Sequence, residues 1–316
     1  MNRAASADGV SARRVDLVAR DEDRGKRLDK FLNERIADLG RHQAAELCAA
    51  GHVRIDGKRA KKSAIVSPGA TVSVELGEPE FLAAEPELEL QVRLERPELV
   101  IVNKLSGVPS APLKNSERGT LCGALLGRYP EMQGIGYRAR EPGIVHRLDI
   151  QTSGLVLAAR TPNAFSVLTH ALELEAIHKR YLALVAAADL PETGEISRAL
   201  APDPAHPERV RVLEPGDLSG YARQKTTRYR VMWNAHGYTL LEVEVGSAFR
   251  HQIRAHLAAI GHPILGDVVY GGAHVPELGA RHALHASQIT WAGDATLEGF
   301  TVFEPLPPEL ARLLDD

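Results

Sequence analysis

The chain predicts an α+β protein in which a small α/β module precedes a larger domain built on a mixed, mostly antiparallel sheet flanked by helices. Three observations predict it. Two helix-like segments near the N-terminus lead into a short hairpin pattern. From residue 91 to residue 316, strand and loop patterns dominate, with helical segments set among them. Between these regions the composition and the charge change abruptly.

The elements follow in order. Residues 1–20 are small, polar and charged, and read as a disordered tail. Leu28, Phe31, Leu32, Ile36 and Leu39 then recur on one helical face. A second helix is expected from Arg41 to Ala50, closed by Gly51. Val53-Arg54-Ile55 enters an Asp56-Gly57 hairpin turn, and Thr71-Val72-Ser73-Val74-Glu75-Leu76 closes a small sheet. This module spans residues 21–78, a Pro- and Glu-rich linker spans 79–90, and the large domain spans 91–316. Within the last, Leu99–Lys104, Tyr181–Val185 and Tyr238–Val245 read as strands. Thr161-Pro162 opens a helix, with Thr as cap and Pro in the first position.

With 316 residues there is room for a small domain and a large one. A hydrophobic content of 44% and a charged content of 25% are ordinary for a soluble protein. No apolar run approaches membrane-spanning length, and residues 1–9 lack the core of a secretory signal, so a cytoplasmic protein with no membrane partner is expected. Cys48 and Cys122 show neither paired nor zinc spacing and read as buried thiols of a reducing compartment. The net charge of −3 masks an uneven distribution. Residues 54–62 hold five basic residues and one acidic, whereas residues 75–98 hold eight Glu against Arg93 and Arg96. A basic head can meet phosphates even when the average charge is acidic.

The most informative run extends from Ile144 to Leu157. It sets Asp149 between an apolar approach and a Thr152-Ser153-Gly154 turn leading into a second apolar run. Strands are expected on both sides. A carboxylate in such a place either caps its own turn or needs a cationic partner.

His146-Arg147-Leu148-Asp149-x-x-Thr152-Ser153-Gly154 resembles the signature of the RluA-type pseudouridine synthases, with Ile150 where a basic residue is usual. Lys179-Arg180-Tyr181, His251-Gln252-Ile253-Arg254 and Gly261-His262-Pro263-x-x-Gly266-Asp267-x-x-Tyr270-Gly271 resemble further motifs of that family. Arg27-Leu28-Asp29-Lys30-Phe31-Leu32 and Gly51–Lys58 resemble an S-four-type RNA-binding domain, although Gly40-Arg41-His42-Gln43 replaces its usual Ser-Arg-Ser.

The resemblance implies a catalytic set of Asp149, Tyr181 and Arg254. Arg254 pairs with the carboxylate, and Arg147 fills the hole left by a flipped uridine. Arg54, Lys58, Arg59, Lys61 and Lys62 are expected to bind RNA. Gly261–Gly271 is read as structural, with Asp267 and Tyr270 locking a loop. Ser247-Ala248-Phe249-Arg250 departs from the family's Thr-Gly-Arg-Thr, so no role passes to the missing Arg.

The implied reaction is an isomerisation that needs no cofactor, and His251, His256, His262, His282 and His285 match no metal-ligand spacing. A monomer acting on ribosomal RNA, that of the large subunit, is expected. A transfer-RNA synthase and a non-catalytic RNA-binding or ribosome-assembly protein are the alternatives. A sugar hydrolase would need a second acid beside Asp149, and none is in view.

Overall fold

The computed structural model describes residues 13–315, except 37, 38, 40, 77–81, 115, 187, 188, 215, 218–220 and 236. The described residues fall into two compact units, one of residues 13–82 with 137–140 and one of 83–136 with 141–315.

In the first unit, β1 (Arg13–Val18) precedes α1 (Leu28–Arg35) and α2 (Arg41–Ala50); β2 (Val53–Ile55), β3 (Lys58–Arg59) and β4 (Thr71–Leu76) follow. The antiparallel sheet has the order β1-β4-β2-β3. Helix α1 forms because Leu28, Phe31 and Leu32 share one buried face, which joins Val53, Val72 and Val74 in the core. It is shorter than the periodicity implies, since Ile36 turns to extended backbone and caps it, while Ile36 and Leu39 still reach the same core. Asp56 and Gly57 both adopt positive φ, 47° and 76°, as a tight hairpin turn demands.

One expectation is corrected here. Residues 13–18, assigned to a disordered tail, form the edge strand β1 paired with β4. The polar composition hid a two-residue alternation in which Val15 and Leu17 are half-buried and Leu17 packs on the core. The rest of that tail, residues 1–12, lies outside the described residues.

The second unit begins with β5 (Gln91–Glu95), β6 (Leu99–Lys104), α3 (Leu121–Arg128), β7 (Ser153–Ala159) and α4 (Pro162–Glu173). It continues through β8 (His178–Ala186), β9 (Thr193–Pro202), β10 (Val210–Val212), β11 (Arg223–Ala235), β12 (Tyr238–Val245) and α5 (Gln252–Ala259). It closes with β13 (Leu284–Gly293), β14 (Glu298–Phe303) and α6 (Pro308–Asp315). Ten strands form one sheet in the order β10-β9-β11-β12-β8-β13-β7-β6-β5, with β14 beside β13. Among the described residues only β13 and β7 run parallel, so the sheet is mixed and mostly antiparallel, as expected.

The expected linker also needs revision. Residues 79–81 lie outside the described set, but Glu85 is bound into the second unit. Its N–H donates to the Gly123 carbonyl at 2.9 Å, and its carboxylate accepts from the Gly119 N–H at 3.0 Å. The acid caps the approach to α3, so residues 83–90 are domain rather than tether.

Two helices share one side of the large sheet. Ala164, Leu168 and Ala171 of α4 pack with Leu155, Leu157 and Ile289. Burying each such Leu contributes roughly 1.5–3 kcal/mol. Gln252 and His256 of α5 bond to the Thr227 hydroxyl at 3.1 and 2.9 Å. Thr227 pairs with Val245, which pairs with Lys179, which pairs with Ile289, so all four point to the same side. Strand β8 lies in the sheet between the strands under α5 and those under α4. Tyr181 stands on β8, on that same side.

Candidate active site

The segment carrying Asp149 is held mainly by side chains. The strand expected before Asp149 is absent; Ile144 makes one isolated bridge to Ala158, and only β7 follows the motif. The Ser110 hydroxyl accepts from the Leu148 N–H at 3.1 Å and donates to the Leu148 carbonyl at 2.8 Å. The His146 ring accepts from the Leu157 N–H at 3.1 Å, and the Ser106 hydroxyl donates to the Gln151 carbonyl at 2.8 Å. The Lys104 ammonium donates to the carbonyls of Leu105, Val108 and Ile150 at 2.9, 2.8 and 3.0 Å. The two Ser110 bonds occupy the Leu148 backbone groups that a ladder strand would have used.

The Thr-Ser-Gly part of the motif is fixed with equal economy. Thr152 and Ser153 hydroxyls meet His282 Nε2 and His285 Nδ1 at 2.8 and 2.9 Å. Gly154 has φ +114°, and a Cβ there would lie 2.3 Å from the Ala286 carbonyl oxygen. Only glycine permits the parallel approach of β7 to β13 at this point.

The Asp149 side chain does not cap its own turn; there its carbonyl accepts from the Thr152 N–H. Its Oδ2 instead accepts from Arg254 Nη1 at 2.8 Å. The remaining face of that guanidinium grips Asp267, Nε to Oδ2 at 2.6 Å and Nη2 to Oδ1 at 2.9 Å. Asp149 keeps 26% of its side chain exposed, Asp267 only 1%. One carboxylate is thus an anchor and the other is presented. Burial opposes the Arg254 charge, but Asp267 and Asp149 outweigh it and hold the guanidinium above its ordinary range. Its Cζ also lies 5.1 Å from the Tyr270 ring centroid.

His251 stands just before α5, in a left-handed conformation with φ +54°. Its Nε2 is 3.7 Å from Asp149 Oδ2, and its Nδ1 is 3.1 Å from the Tyr270 hydroxyl. Burial pushes its pKa down to about 4 against the pull of Asp149, so the ring is neutral near pH 7. The Tyr270 hydroxyl in turn accepts from the Val210 N–H at 2.9 Å. Tyr181 is buried, and burial together with the Asp149 charge drives its hydroxyl pKa upward. Burial pushes Lys104 down to about 7, although Asp149 favours its charge.

Of the residues singled out by sequence, Asp149 and Arg254 meet directly, and Tyr181 lies within electrostatic reach of Asp149. Arg147 is exposed and paired with Glu141 at 3.1 Å. In the first unit Lys58, Arg59, Lys61 and Lys62 are exposed and Arg54 is half-buried. Among the described residues none of these five has an ion-pair partner. Arg54 and Arg59 face each other across β2 and β3, a like-charge pairing that an anion would relieve. The histidines work as hydrogen-bond partners: His256 serves Thr227, and His282 and His285 serve the Thr-Ser turn.

Sequence reasoning treated Asp267 as a loop lock and overlooked Lys104, Ser110 and His251 as site residues. Asp267 had a usable signal, since a buried Arg fork has capacity for two carboxylates.

These geometries define a site with one presented carboxylate, and comparison with known proteins gives its class. Residues 98–259 match the RNA pseudouridylate synthase family, and residues 26–72 match the S4 domain. The chain is similar to the uncharacterised RNA pseudouridine synthase YlyB of Bacillus subtilis (strain 168), with 30% identity over 304 residues, 96% of this chain and 97% of that one. It is also similar to the ribosomal large subunit pseudouridine synthase D of Xanthomonas campestris pv. campestris, with 32% identity over 323 residues, 98% and 94% of the two chains. In fold it resembles human RNA pseudouridylate synthase domain containing 4, with a TM-score of 0.57 at 21% identity, covering 71% of this chain and 92% of that one. The chain belongs to the RNA pseudouridine synthase family and is an RNA pseudouridine synthase with an N-terminal S4 domain. Among the described residues no helix is long and apolar enough to cross a membrane.

Proposed function

We propose that the enzyme converts uridine to pseudouridine in large-subunit ribosomal RNA of the cytoplasm, with Asp149 as the catalytic carboxylate. One observation carries this reading. Arg254, anchored on buried Asp267, orients Asp149 through Oδ2, while Oδ1 has no hydrogen-bond partner among the described residues.

The reaction breaks the bond from uracil N1 to ribose C1′, turns the base, and joins C5 to C1′. The C5 proton leaves and N1 gains one, so no cofactor is required. The uridine must first leave the stack, and exposed Arg147 is suited to fill the vacated space. Oδ1 then acts on the sugar; attack on C1′ and removal of a C2′ proton both use that oxygen. Tyr181 packs against the base. Burial and the Asp149 charge keep it a neutral phenol, so it serves the C5 proton as a relay, releasing its own proton as it receives another.

The choice of ribosomal RNA follows the Xanthomonas campestris relative, whose name specifies the large ribosomal subunit. The unpaired basic edge of the first unit suits any phosphate-rich partner. The test is a map of pseudouridines in RNA from a strain lacking the gene. Loss of a large-subunit ribosomal site is expected; loss confined to transfer RNA would overturn the substrate assignment.

A further inference from the structure

Among the described residues of the second unit four Lys and Arg are buried, and three of them are answered by partners. Lys104 has three carbonyls, Arg254 has two carboxylates, and Arg281 has Glu309 and the Ser153 hydroxyl. The fourth is Lys179. It is only 5% exposed, yet among the described residues its ammonium has neither a hydrogen-bond acceptor nor an ion-pair partner. The ammonium is not sealed off either, because it retains contact with solvent.

Its position in the fold is informative. Lys179 and Tyr181 are alternate residues of β8 and both are buried, so they face the same side. Along the strand they are about 7 Å apart, a span comparable with that from base to phosphate within one nucleotide. His146, from the Asp149 motif, lies close enough for Lys179 to oppose its protonation. Lys225 reaches this side from β11, two residues before Thr227, and its ammonium donates to the Ser247 carbonyl at 2.5 Å. Glu175 accepts from the Ser247 N–H at 3.0 Å. Burial pushes the Lys179 ammonium down to about 8; Lys225 repels it further, and Glu175 attracts it without reaching ion-pair distance.

Two ammoniums with one carboxylate leave positive charge uncompensated beside Tyr181. A neutral base carbonyl would not offset an ammonium so little exposed, whereas a permanent anion would offset it and favour its charged form. We propose that Lys179, backed by Lys225, forms an anion subsite on the Tyr181 side of the sheet that receives a phosphodiester of the RNA next to the everted uridine. This subsite rests on the reading of Asp149 as the catalytic carboxylate. Lysine suits the task as a compact point charge, where arginine would impose a fork.

The test uses the full-length enzyme and large-subunit ribosomal RNA transcribed with 5-tritiated uridine. Lys179→Met removes the charge and keeps the stem; Lys179→Arg keeps a charge. For Lys179→Met, KM should rise about ten- to a hundredfold, the loss falling on KM rather than kcat. The slope of log affinity against log salt should flatten by about 0.7–0.9, the value of a single neutralised phosphate, and Lys179→Arg should restore most of it. Melting should occur at or above the wild-type temperature, because an unpaired buried charge has been removed. Should Lys179→Met misfold, Lys225→Gln provides the same slope measurement. An unchanged slope, or a loss confined to kcat, overturns the subsite. An Asp149→Asn enzyme as active as wild type would instead overturn the catalytic reading, and the binding slope would still be measurable.

Discussion

The carboxylates of Asp149 and Asp267 are held by the same guanidinium, Asp267 by two bonds and Asp149 by one. The asymmetry has a chemical consequence. The doubly bound acid is buried and fixed, so it positions Arg254; the singly bound acid keeps an oxygen for chemistry.

Asp149→Asn should abolish tritium release from 5-tritiated RNA while RNA binding stays within a few-fold of wild type. The amide preserves size and can still accept from Arg254, but supplies neither nucleophile nor base. Turnover comparable with wild type would remove Asp149 from the mechanism.

Arg254→Lys should lower kcat by about a hundredfold or more, because one ammonium cannot span two carboxylates in fixed geometry. Arg254→Met should cost about 3–5 kcal/mol of stability by stranding buried Asp267. Pairing it with Asp267→Asn should recover part of that loss in urea unfolding, since the two residues are coupled. Strict additivity would show that they do not act together.

Acid should unfold the protein through its histidines. Burial holds His146 and His282 at about 3, and His251, His256 and His285 at about 4. The unfolded chain binds those protons near pH 6.5, so it takes them up first. Stability is therefore full above about pH 6.5 and falls as the pH drops towards 4, levelling off below about 3. Urea midpoints measured across that window should decline steeply, and a flat profile would contradict the neutral, buried rings.

Gly154→Ala should destabilise the enzyme by about 1–3 kcal/mol and depress activity out of proportion, because the strained backbone and the Ala286 carbonyl both resist a methyl group. Thermal melting and single-turnover rates measured together would check it.

Replacing Lys58, Arg59, Lys61 and Lys62 by Gln should weaken RNA binding and flatten its salt slope by about 0.7–0.9 for each phosphate no longer neutralised, with little change in melting temperature. An unaltered slope would deny this edge a role with RNA.

Much of this was legible in the sequence because local rules agreed with tertiary structure. The Thr161 cap, the Asp56-Gly57 turn and the Leu28-Phe31-Leu32 face all appear where spacing places them. The motif around Asp149 pointed to the presented acid, and the His251–Arg254 motif to its partner. The backbone leading to Asp149 was misread as strand because an apolar run does not reveal that the Ser110 hydroxyl will take over both backbone groups of Leu148. The grip of Asp267 on Arg254 and the place of His251 beside Asp149 were not drawn from the sequence for a related reason. Their roles depend on α5 and the loop after it folding back onto Arg254 and Tyr270, a closure that spacing along the chain does not encode. Strand β1 was missed because six residues carrying two Arg and one Asp look like solvent-exposed chain until β4 supplies a partner.

The Lys104 ammonium joins Leu105 and Val108 on one loop to Ile150 on another, and the Gly107 amide also donates to the Ile150 carbonyl. Neither loop can open without releasing the other. Their amides should therefore lose protection against deuterium in a single shared event, making the segment beside Asp149 one cooperative gate rather than two independent flaps.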